Sequence, residues 1–269
     1  MTELEEEIKK YYKELYNVFD NSQLTDWFKD KEKSCHFTGM RGKNYKTQVK
    51  KLLIIGKSTN GWGQLNTKNA ETFSQDALEK MKNEYIGDNM KERMSDAFWS
   101  TSYLVWHKLT GKEIDTRTDM FANYIAWTNL YKIVPQKENS PKMPNPNEDQ
   151  RLIQLEIVKK ILKAEFAFFN PTHILFITEQ HTKNEEHKTW WNGEGIEPFI
   201  KDYNDIQKMN GFLNIKNIPG DYVRGKSLYS DENVKNVKIV IATRPDYWGC
   251  TNQERDFMAD KICSAFNNI

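Results

Sequence analysis

The chain has 269 residues, with 39 Lys+Arg against 38 Asp+Glu and a formal net charge of +1. That near-neutral balance excludes recognition by a global field of either sign, so any contact with nucleic acid or another polyanion must be local. The length suffices for a substantial core, and the isolated Cys35, Cys250 and Cys263 exclude a disulfide framework, a zinc ribbon and a cysteine-held iron–sulfur cluster, which fits a reducing compartment.

The first residues, Thr2-Glu3-Leu4-Glu5-Glu6-Glu7, are acidic where a secretory signal would be basic and then apolar, and no apolar run is long enough to span a bilayer. A cytoplasmic protein with no membrane partner is expected. Thr2 with Glu5 reads as a capping box, and Leu4, Ile8, Tyr11, Leu15 and Val18 recur at helical spacing, so an amphipathic helix opens the chain. Arg41, Lys43, Lys46, Lys50 and Lys51 follow with no acidic residue among them and read as a solvated basic loop. Helix and loop together form a helical extension of about residues 1–48 on a single domain spanning 1–269.

Leu52-Leu53-Ile54-Ile55 predicts a strand buried on both faces, and Gly56 turns it into the polar loop Lys57-Ser58-Thr59-Asn60-Gly61-Trp62-Gly63. Gly56-Lys57-Ser58 is not the end of a phosphate-binding P-loop, because that motif needs a glycine where Lys51 stands. Residues 69–94 read as a helix with Phe73, Ala77, Met81 and Tyr85 inward. A second helix starts at Ser95 and stops before Gly111, its Trp99, Tyr103 and Trp106 assigned to the core.

Residues 124–130 predict a second strand, followed by Lys132, Pro135 and a long surface loop containing Pro141, Pro144 and Pro146. Asn147 can cap a long helix with Leu152, Leu155, Ile157, Val158, Ile161, Leu162, Phe166 and Phe169 inward, ended by Asn170-Pro171. Residues 173–178 and 237–243 predict two more buried strands, with an edge strand over 212–218. Thr251 with Glu254 opens a terminal helix with Phe257, Met258, Ile262 and Phe266 inward. Strands alternating with long helices imply right-handed βαβ units. The expected fold class is α/β, a three-layer α/β/α sandwich around a central, mainly parallel four-stranded sheet.

Four loop segments would then meet at strand ends: 56–63, 129–135, 178–181 and 243–249. Together they resemble the uracil-DNA glycosylase superfamily, of which this chain would be a divergent member. The resemblance lies in the strand ending in Gly56, in the Thr128-Asn129-x-x-Lys132-x-x-Pro135 pattern, in the Pro171 to Thr178 strand, and in the turn at Arg244-Pro245. It implies hydrolysis of the N-glycosidic bond of a damaged or deaminated base in DNA, a role in DNA repair, DNA or a nucleotide as partner, and no cofactor. Such an enzyme flips a base, holds its Watson–Crick edge, stacks it on an aromatic and stabilises the charge that develops as the bond breaks.

On this pattern Asn129 is suited to reading the base edge, having both donor and acceptor, although an Asn at a strand end equally satisfies backbone groups. Trp62 either stacks on the base or caps its loop. Lys57, Ser58 and Thr59 stand where the family has its water-orienting Asp or Asn; Asn60 comes one residue late, in an Asn-Gly pair that is also a strong turn signal. Arg244 replaces the family's His, and Glu179 and Asp246 are the carboxylates near strand ends. The catalytic candidates are therefore Asn60, Arg244 and Ser58, and the ligand-binding candidates Gly56, Lys57, Trp62, Asn129, Lys132 and Glu179.

An alternative is a non-catalytic nucleic-acid or nucleotide-binding protein on the same fold, with Lys57, Lys132 and Arg244 on the phosphate backbone. A third reading is a different α/β hydrolase or transferase acting on a small phosphorylated ligand. His181, Glu185, Glu186 and His187 match no familiar metal-ligand spacing, so no metal is expected, and Trp190-Trp191 reads as core edge rather than a wedge into DNA.

Overall fold

The unbroken aliphatic run at 52–55 becomes the middle of the sheet: β3 (Leu52–Gly56) is buried at every position, with parallel neighbours on both sides. The computed structural model describes residues 1–22, 28, 34–58, 69–82, 96–114, 120–135, 146–179, 213–214, 222–225, 237–243 and 251–268. On one side of β3 lies β4 (Ala126–Asn129), and on the other β6 (His173–Glu179), followed by β9 (Lys238–Thr243). All four are parallel, as the patterning predicts.

The sheet is mixed and wider than the four strands expected. β2 (Met40–Arg41) pairs antiparallel with β4, while β8 (Tyr222–Gly225) and β7 (Leu213–Asn214) continue antiparallel beyond β9, giving the order β2-β4-β3-β6-β9-β8-β7. Only Leu213–Asn214 of the edge strand expected at 212–218 is described. A separate antiparallel ribbon joins β1 (Ser34–His36) to β5 (Ile133–Pro135).

Helices cover both faces. Because successive side chains of a strand point to opposite sides, Leu53, Ile55, Ile174, Phe176, Ile239 and Ile241 pack with α1 (Glu3–Asp20), α2 (Ala70–Lys82) and α4 (Glu148–Phe169). Leu52, Ile54, Leu175, Ile177, Val240 and Ala242 pack with α3 (Ala97–Thr110) and α5 (Asn252–Asn267). Full burial of one such side chain contributes about 1.5–3 kcal/mol, which is why these strands carry no polar alternation. No helix among the described residues is long and apolar enough to cross a membrane.

Three expected inward faces shift. In α1 the buried set is Ile8, Tyr12, Leu15, Tyr16 and Phe19, one residue round from Tyr11 and Val18. Leu152 is 61% exposed and Phe257 38% exposed; each lies five residues before a buried isoleucine, Ile157 or Ile262, and so about 140° round its helix from it. Phe257 instead carries Lys261 Nζ over its ring at 5.1 Å. The predicted capping boxes at Thr2 and Thr251 form, and Asn147 closes another with Gln150.

The lower ends of α3 and α5 are tied to the starts of strands. Lys50 Nζ donates to the carbonyl of Leu109 at 2.5 Å, and Lys238 Nζ to that of Phe266 at 2.7 Å. These cations sit at helix C-termini, where the backbone dipole favours them. Both helices therefore run opposite to the parallel strands and turn their N-termini toward the strand C-terminal ends.

Candidate functional site

The parallel strands follow one another across the sheet as second, first, third and fourth in the chain. In such open sheets ligands bind beyond the carboxyl ends of the strands at the point where the winding reverses, here beside the end of β3. That end is Gly56, and its neighbour on β4 is Asn129.

The pair is in contact. A Cβ built on Gly56 would lie 2.4 Å from Asn129 Oδ1 and 3.6 Å from Phe98 Cζ, so the Asn129 amide fills the space that glycine leaves and the Phe98 ring adjoins it. The parallel ladder continues beyond both residues, with Leu130 N donating to Gly56 O at 2.8 Å and Tyr131 N to Lys57 O at 2.9 Å. This fixes the backbone beneath the amide. Asn129 is 1% exposed, yet its Nδ2 has no hydrogen-bond partner among the described residues. A buried donor left unpaired costs about 1–3 kcal/mol.

Phe98, half-buried in the first turn of α3, begins an aromatic row. Its ring meets Trp99 edge to face at 4.8 Å, Trp99 meets Trp127 at 4.6 Å, and Trp127 meets Phe37 at 4.3 Å. Close by, Arg255 of α5 donates through Nη1 to Ser100 Oγ at 3.0 Å, and Ser100 Oγ donates to the carbonyl of Asp96 at 2.9 Å. Phe98, Ser100 and Arg255 are not among the sequence candidates. Their signal was weak, since Phe98 stands with three core aromatics and Arg255 is an ordinary residue of an amphipathic helix.

The other candidates are placed unevenly. Lys57 is buried and Ser58 half-buried at the start of the loop after β3. Glu179 is the last residue of β6, opposite Thr243 after an irregularity in the pairing, and its side chain lies outside the described set. Thr178, just before it, keeps a buried Oγ1 with no partner among the described residues. Asn60, Trp62 and Arg244 lie outside the described residues, as do Asp246, His181, Glu185, Glu186, His187 and Trp190-Trp191.

Lys132 is not brought to the strand ends. It is completely buried on the α1/α4 side, where its Nζ donates to both oxygens of Glu165, at 2.9 and 2.8 Å, and to Thr128 Oγ1. Glu165 also accepts from Tyr12 OH at 2.8 Å, Gly39 N at 3.1 Å and Thr128 Oγ1 at 2.8 Å. Burial pushes the Lys132 ammonium pKa down while the Glu165 charge opposes it, and burial with that same charge pushes the Tyr12 hydroxyl well up. Since Thr128 and Asn129 face opposite sides of β4, the ion pair and the open amide are neighbours in sequence on different faces.

Among the described residues no group of three or more His, Cys, Asp or Glu is placed to hold a metal ion. No protein-family model matches the chain, and no curated protein matches it.

Proposed function

We propose that the protein is a divergent uracil-DNA glycosylase-like hydrolase, taking a deaminated or damaged base of DNA at the ends of β3 and β4. One observation carries the reading: Asn129 holds a buried amide whose Nδ2 has no partner among the described residues, beside a glycine and an aromatic ring. The amide offers a donor and an acceptor to the edge of a base, and the Phe98 ring offers a flat apolar surface. In the reaction the bond between C1′ and the base nitrogen breaks, water adds at C1′, and its proton leaves or passes to the base. Negative charge grows on the departing base, and a pre-placed N–H such as Asn129 Nδ2 stabilises it. Asn60, Ser58 and Arg244 are the proposed partners in positioning the water and the leaving group.

A second reading, a non-catalytic nucleic-acid or nucleotide-binding protein, is favoured by Lys57 and Ser58, which follow Gly56 where the family pattern has a carboxylate or amide. A single assay separates the two. The protein is incubated with single- and double-stranded DNA carrying uracil or another deaminated base, and abasic sites are counted. The hydrolase reading expects abasic product, reduced about 10²–10³-fold in Asn129→Ala. DNA retained with no abasic product leaves the binding protein; unchanged turnover and binding in Asn129→Ala removes the site.

A further inference from the structure

We infer that Glu165 and Gln154 of α4 are positioning residues for the candidate site, acting through Thr128 and Lys132 to hold the Asn129 amide at the end of β4. This role rests on the reading of Asn129 as the group that meets the base, and adds to it what keeps the amide in place.

Asn129 stands where β4 loses a neighbour. β2 accompanies β4 only at Ala126 and Trp127, so at Thr128 and Asn129 the ladder continues on the β3 side alone. Side chains of α4 support the stretch from there. Thr128 Oγ1 donates to Glu165 at 2.8 Å, and Lys132 Nζ donates to both Glu165 oxygens and to Thr128 Oγ1. Gln154 Oε1 accepts from Lys132 N at 2.9 Å and from Ile133 N at 3.3 Å, while its Nε2 donates to the carbonyl of Ile133 at 3.0 Å. Gln154 and Glu165 are about three whole turns apart on α4 and so share one face.

Between them that face is apolar, with Ile157, Val158, Ile161 and Leu162, and both polar side chains are completely buried. A buried ion pair adds little net stability over apolar residues of similar volume, because each charge is stripped of water. What it adds here is direction, since the bonds from α4 grip the residue before Asn129 and the chain just after it. Neighbouring side chains leave a strand on opposite faces. Fixing Thr128 toward α4 therefore turns Asn129 to the other face, where its amide fills the space beside Gly56. A displacement of about 1 Å in a group that meets the reacting atoms can cost about 10²-fold in rate.

Thr128→Val removes the bond to Glu165 with little change of shape and leaves the Lys132–Glu165 pair in place, whereas Thr128→Ser keeps the hydroxyl. Lys132→Met with Glu165→Leu removes both charges together. Each full-length variant, shown to be folded by circular dichroism, is assayed for abasic sites in uracil-containing DNA, with kcat and KM separated, and for hydrogen exchange of single backbone amides by NMR. Thr128→Val and the double variant should lower kcat about 10–100-fold with far less change in KM. They should also speed exchange at Leu130 and Tyr131, whose N–H groups donate to Gly56 and Lys57, without speeding it at Ile174 to Ile177. Thr128→Ser should recover most of both. With an active wild-type protein, unchanged kcat or unchanged exchange at Leu130 and Tyr131 in Thr128→Val overturns the inference. So does a loss that Thr128→Ser fails to recover, or one accompanied by faster exchange in every strand. If the wild-type protein forms no abasic sites, the base reading is removed and the exchange decides alone: acceleration confined to Leu130 and Tyr131 upholds the clamp on Asn129, and its absence overturns it.

Discussion

Asn129 and Gly56 are Cα partners across parallel strands, and the amide oxygen of the first lies 2.4 Å from where a Cβ of the second would be. Glycine is therefore required here to make room for the amide. In Gly56→Ala the methyl must push the Asn129 side chain aside, which is the softer of the two groups. The fold should lose only about 1–3 kcal/mol, as for other overpacked sites, while ligand affinity falls by much more than that stability change explains. Thermal melting and nucleotide titration on one sample check this; unchanged affinity would show that the amide position is irrelevant to binding.

Asn129 itself should be a residue that weakens the fold. Replacing a buried, unpaired amide with an apolar side chain of similar shape removes an unmet desolvation cost. Asn129→Leu is expected to unfold at higher urea, by about 1 kcal/mol, and to lose ligand binding. A stability loss instead would mean that the amide is satisfied in the folded protein.

The Lys132–Glu165 pair should be strongly coupled. Lys132→Met leaves a buried carboxylate whose opposite charge has gone, at a cost of about 3–5 kcal/mol, whereas the double change Lys132→Met with Glu165→Leu should recover most of it. A urea-denaturation double-mutant cycle measures the coupling. Additive losses would show that the two charges do not stabilise one another.

Acid should destabilise the protein before its carboxylates titrate. His36 is held neutral by burial and by Lys80, whose Nζ lies 3.1 Å from its Nε2, and its pKa falls from 6.5 to about 3. His173 falls to about 4 by burial and by the charges of Lys238 and Lys50. Both folded pKa values lie below the unfolded one, so between them the unfolded chain binds more protons and stability falls as pH drops below about 6.5. Each histidine contributes a slope of up to about 1.4 kcal/mol per pH unit. Denaturant titrations between pH 7 and 4.5 should show this fall, and His36→Leu should flatten it. Glu5 and Glu71, whose carboxyl pKa values are lowered by Lys82 and Lys13 respectively, act only in more acidic solution. A profile flat to pH 4.5 would show that the histidines titrate normally in the folded state.

The four parallel strands were legible because burial on both faces writes them as unbroken aliphatic runs, with no polar residue interrupting Leu52 to Ile55 or Ile174 to Ile177. β2 and β7 are two residues long and β1 and β5 three, too short to carry a periodic signal. Asn129 could be picked out because it ends a strand. Lys132 resisted reading for a physical reason: its charge is matched by Glu165, a carboxylate on the apolar face of α4 between Leu162 and Phe166, and sequence gives no pairing across that separation. The approach of Phe98 and Arg255 to the same end depends on the direction of two helices, whose C-terminal carbonyls meet Lys50 and Lys238 at the opposite end of the sheet.

The bonds from Tyr12 OH and Gly39 N to Glu165 make the opening segment part of the smallest piece able to fold by itself. A fragment starting after residue 48 would keep every central parallel strand and lose two of the donors that hold the buried carboxylate. It would also bare the surface of α2 and α4 on which Ile8, Leu15 and Phe19 sit. The expected extension thus behaves as a wall of the domain, and trimming it is a route to aggregation rather than to a minimal domain.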